Sequence, residues 1–141
     1  MPSMVGTDAA ALEYRAYDTG PIVEGSMNTD PVGMRPVFYN VALHIKAARE
    51  HAVARDPQAA IKEFDTAIHK LRELPPERVR DVLLAHAMLG KYQTLTLEKD
   101  KQSQKLALES LHVGVSYARS TRDPLARAIA EECLAGLDAT L

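Results

Sequence analysis

Five histidines, one cysteine and nineteen acidic side chains carry whatever chemistry these 141 residues could perform. His44 and His51 lie seven residues apart, so they share a face if the segment is helical. Two imidazoles without a third ligand, and without H-E-x-x-H spacing, make no metal site. His86 is followed four residues later by Gly90 and then by Lys91. On a helix that spacing sets Gly90 beside the imidazole on the same face. Cys133 follows Glu131 and Glu132. A reactive thiol needs an electropositive setting, so Cys133 is expected to be a buried core thiol. Glu63, Asp65 and Glu73 are scattered as on a solvated helix face, not paired for acid–base work. No Gly-rich phosphate loop or nucleophile elbow occurs. The expectation is no enzyme, no catalytic residues, no metal and no cofactor.

The composition bounds the class. Hydrophobic residues make up 46% and charged residues 26%, an ordinary globular mix. Aromatics are only 5% and Trp is absent, so the core must be built from Ala, Leu, Val and Ile. That suits close-packed helices. The net charge of −2 supplies no excess for phosphate backbones, and nucleic acid is not an expected partner. Arg72, Arg78 and Arg80, around Pro75-Pro76, offer a local basic group. A single cysteine permits no internal disulfide and suits a reducing compartment. No apolar run is long enough for a membrane span, and the first residues lack a secretory pattern. The expected location is cytoplasmic.

The chain divides near residue 36. Residues 1–36 hold four of the eight prolines and four of the seven glycines, and are expected to be a flexible segment with a short helix at 8–17. Residues 37–141 are expected to be a helical domain. Phe38, Val41, Ile45, Ala48 and Ala52 recur at helical spacing, and Ile61, Phe64, Ile68 and Leu71 repeat the pattern after Asp56-Pro57. Asp is a good N-cap and Pro a good first helical residue. Pro75-Pro76 closes that helix. A third helix should start near Pro76 and carry Val79, Leu83, Leu84, Met88 and Leu95. A fourth should bury Leu108, Leu111, Val115 and Ala118. A fifth, opening at Asp123-Pro124, should bury Leu125, Ile129, Cys133 and Leu137. Five helices with short connections predict an all-α fold of antiparallel neighbours.

Residues 41–74 resemble one tetratricopeptide repeat, a helical hairpin of roughly 34 residues. Ala48, Ala60, Phe64 and Ala67, spaced by 12, 4 and 3, match the family's small, small, aromatic and small positions. His51 replaces a usual aromatic, and the closing proline is displaced to Pro75. A second hairpin near 78–118 matches through Leu89-Gly90, with Ala107, Leu111 and Gly114 in its second helix, and the fifth helix would cap the stack. The resemblance implies a tetratricopeptide-like array of about five helices. It implies binding of another protein or peptide in a groove lined by Ile45, Arg49, Ala52, Leu84, Met88, Lys91 and Leu95. Arg49 and Lys91 occupy corresponding positions of the two repeats, as a carboxylate-binding pair would. Two repeats are fewer than the usual three, so a homodimer could complete the stack.

The segment Ala85-His86-Ala87-Met88-Leu89-Gly90-Lys91 also resembles the histidine phosphotransfer signature, although Leu89 stands where that family has Lys. This resemblance implies a solvent-exposed His86 as phosphoacceptor. The leading expectation remains an interaction module (an adaptor, chaperone or regulatory subunit), with phosphotransfer as the alternative.

Overall fold

A computed structural model describes residues 35–140, with side chains through Leu137. The short helix expected at 8–17 lies outside the described residues. Five helices follow in order: α1 Pro36–Val53, α2 Pro57–Arg72, α3 Arg78–Leu95, α4 Lys101–Thr121 and α5 Pro124–Thr140. The fold is all-α, with no strand among the described residues.

The boundaries follow from local chemistry. Arg35 is extended, as a residue before proline prefers, and Pro36 opens α1. After α1 the chain turns through Arg55 in the left-handed region, φ 64°. Asp56 then caps α2 by accepting from the Ala59 amide at 3.2 Å. The same Arg-Asp-Pro tripeptide joins α4 to α5: Arg122 has φ 60°, and Asp123 accepts from the Ala126 amide at 3.0 Å. α2 ends with His69, Lys70 and Arg72 in its last turn, where cations suit the helix dipole. α3 starts at Arg78, two residues after the expected Pro76, with Glu77 as the flanking residue. α4 starts at Lys101, where Asp100 caps the Ser103 amide at 2.9 Å.

Neighbouring helices pack as two hairpins and a closing helix, an arrangement compatible with a helical repeat. α3 is the hub and touches all four others. One apolar cluster joins α1 and α2 to Leu83, Leu84, Ala87 and Met88. A second joins α4 and α5 to Ala85, Leu89, Tyr92 and Leu95. Every residue from Val82 to Gly90 is consequently buried. Small residues permit this close approach. A Cβ on Gly90 would overlap the Phe64 ring, and one on Gly114 would lie 2.9 Å from Leu89 Cδ2. Leu108, expected in the core, is 53% exposed. The buried stripe of α4 runs through Ala107, Leu111, Gly114 and Ala118, and Leu108 falls at its edge.

Candidate functional site

The seven residues expected to line one groove separate into two environments. Ile45, Arg49, Ala52, Leu84 and Leu95 are buried in the packed helices. Among the described residues no apolar groove lies exposed between the first helices, because Leu84 and Leu95 face the protein's own helices. Met88 and Lys91 instead reach a surface groove on the face between α2 and α4.

Arg49 is the largest completely buried side chain. Its Nη2 donates to the His86 carbonyl oxygen at 3.0 Å, and its guanidinium lies 6.0 Å from the Phe64 ring centroid. It links α1 to α3 and is no surface cation. Lys91 points away from it, and its Nζ lies 2.6 Å from Asp65 Oδ1 of α2. The two cations expected to act together engage different helices.

His86 does not reach solvent, and neither ring nitrogen has a hydrogen-bond partner among the described residues. Burial first, and the Arg49 charge second, lower its pKa to about 3, so the ring is neutral at ordinary pH. A phosphoacceptor must meet its donor at the surface, and the expected exposure of His86 is overturned. The physical reason is Gly90. Its missing side chain admits the Phe64 ring from α2, not an incoming phosphoryl group. Cys133 is buried near the same centre, and desolvation raises its thiol to about 11, which keeps it protonated. His44 pairs with Glu63 across α1 and α2 at 2.8 Å. No cluster of three potential metal ligands lies among the described residues. Of the three arginines around the proline turn, Arg80 donates to the Leu74 carbonyl and Asp81, and Arg78 donates to the Thr121 carbonyl.

The groove holding Met88 and Lys91 has a volume of about 410 Å³. Asp65, Ile68, His69 and Arg72 form its α2 wall, one helical face at spacings of three and four. Leu106, Glu109, Ser110 and Val113 form its α4 wall in the same way. Met88, buried in the core, forms an apolar floor. Lys91 is held over it by Asp65, its side chain 19% exposed. Arg72 and Glu109 stand exposed on opposite walls. The α2 wall could have been found in the sequence, because His69 and Arg72 follow Asp65 at helical spacing. The α4 wall could not, because it needs the position of α4 against α3.

Among the described residues, no helix is long and apolar enough to cross a membrane. Comparisons with protein-family models, curated proteins and solved structures found no match to this chain.

Proposed function

We propose that this chain is a non-enzymatic protein–protein interaction module of tetratricopeptide-like hairpins, acting as an adaptor, chaperone or regulatory subunit. It receives a partner's peptide or helix in the groove between α2 and α4. The observation that carries this reading is the groove itself: an open channel with an apolar floor and charged walls, built on rigid helices. Leu106 and Val113 offer half-buried apolar surface along its length, over a floor of the buried Ile68 and Met88. Arg72 offers a guanidinium to a carboxylate, the geometry that planar bidentate recognition uses. An amphipathic helix with an apolar stripe and a flanking acidic residue fits this chemistry.

Affinity capture from native lysate, comparing wild type with an Arg72→Glu/Lys91→Glu variant, tests it. Wild type should retain a partner that the charge-reversed protein loses. Capture of the same proteins by both would rule out this groove as the binding site. Both positions are at least partly exposed, so the variant should keep its helical content, which circular dichroism checks.

A further inference from the structure

The outer face of α1 carries a stripe that no described helix covers. Tyr39 is 40% exposed, Leu43 44% and Val53 61%. Lys46 and Glu50 are exposed between them. All five fall at helical spacings of three and four, opposite the stripe of Val41, Ile45, Ala48 and Ala52 that packs into the core. Terminal elements of helical repeats ordinarily present a polar outer face, because an apolar one invites further stacking. The end of this stack is apolar at both ends of its stripe and charged in the middle.

The order of those residues is self-complementary. Lys46 and Glu50 lie equally far from Ala48, and so do Leu43 and Val53. When two such helices meet antiparallel about a two-fold axis at Ala48, Lys46 faces Glu50 of the other copy and Leu43 faces its Val53. Each contact occurs twice, as an isologous interface requires. Neither Lys46 nor Glu50 forms an ion pair with a described residue. Within one helix their order, cation before anion, is the weaker arrangement, whereas across the two-fold axis it places unlike charges together twice.

We propose that the outer face of α1 is a homodimer interface in which a second copy of this chain packs antiparallel along Tyr39, Leu43, Lys46, Glu50 and Val53. The surface is separate from the α2–α4 groove, so each copy keeps its groove open. One helix pair buries less than a standard interface, and the association should fall in the micromolar range.

Sedimentation equilibrium of the full chain across that range tests the interface. Wild type should show a concentration-dependent dimer. Leu43→Glu should be monomeric at every concentration with unchanged helicity, since Leu43 lies at the surface, and should melt with wild type at concentrations where wild type is itself monomeric. Lys46→Glu and Glu50→Lys should each weaken the dimer about tenfold, by placing like charges together twice. The Lys46→Glu/Glu50→Lys double variant should recover most of that loss. Wild type that stays monomeric overturns the interface, as does a dimer indifferent to Leu43→Glu. A double variant no better than its singles overturns the two-fold register. A dimer broken instead by Leu108→Glu would assign self-association to the apolar groove between α4 and α5.

Discussion

α1 and α3 begin the two hairpins, and set 42 residues apart they place like beside like: His44 with His86, Ala48 with Gly90, Arg49 with Lys91. The environments are opposite. His44 is half-buried and pairs with Glu63, whereas His86 is sealed and unpaired among the described residues. Arg49 is sealed, whereas Lys91 reaches the surface groove. α1 closes an end of the stack and keeps one open face, while α3 is surrounded. Place in the stack, more than residue type, decides what each position does.

The comparison can be broken by substitution. The largest effect is expected at the small position. Gly90→Val should cost about 3 kcal/mol, the upper end for overpacking, because the new side chain must displace the Phe64 ring. At the matching place in α1, Ala48→Gly should cost about 2 kcal/mol, from helix propensity together with one lost buried methyl group. Urea denaturation measures both, and equal costs would dissolve the distinction.

Next come the cations. Arg49→Ala should cost on the order of 3 kcal/mol, through lost packing and loss of the bond to the His86 carbonyl. Lys91→Ala should cost less than about 1 kcal/mol, since its pair with Asp65 is partly exposed.

The histidines sharpen the contrast through pH. A folded-state pKa of about 3 against an ordinary 6.5 means that the unfolded chain binds the proton first as pH falls. The stability due to a neutral His86 is complete above about pH 6.5 and declines below it. By pH 5 the loss should be on the order of 2 kcal/mol. His86→Leu should flatten that part of the stability–pH profile, and a profile of unchanged slope would contradict the buried, neutral ring. The smallest effect is expected for His44→Gln, under about 1 kcal/mol, from weakening one partly exposed pair.

Local signals were the legible part of this fold. Asp56-Pro57 and Asp123-Pro124 mark two helix starts, and both aspartates cap as their chemistry dictates. Pro75-Pro76 marks the break between α2 and α3. The close approach at Ala48, Ala60 and Phe64 was visible as small and aromatic residues at fixed spacing, and all three are fully buried. The burial of α3 was less visible. Its apolar residues mark only part of its circumference, and the remainder is Ala, Gly and His, which fit a core or a surface. Arg49 was misleading for a similar reason: a charge ordinarily signals solvent, and only the placement of α3 encloses it. Met88 and Lys91 follow one another at helical spacing on α3, but one of the two walls they face belongs to α4, whose placement no local pattern encodes.

The sharing of α3 between both apolar clusters has a consequence for how the molecule comes apart. In a longer array a terminal repeat can fray while the rest persists. Here neither hairpin can detach without stripping one side of α3, so both clusters should be lost in a single cooperative transition. The backbone amides from Val82 to Gly90 should then be the last to exchange with heavy water, at a rate set by global unfolding.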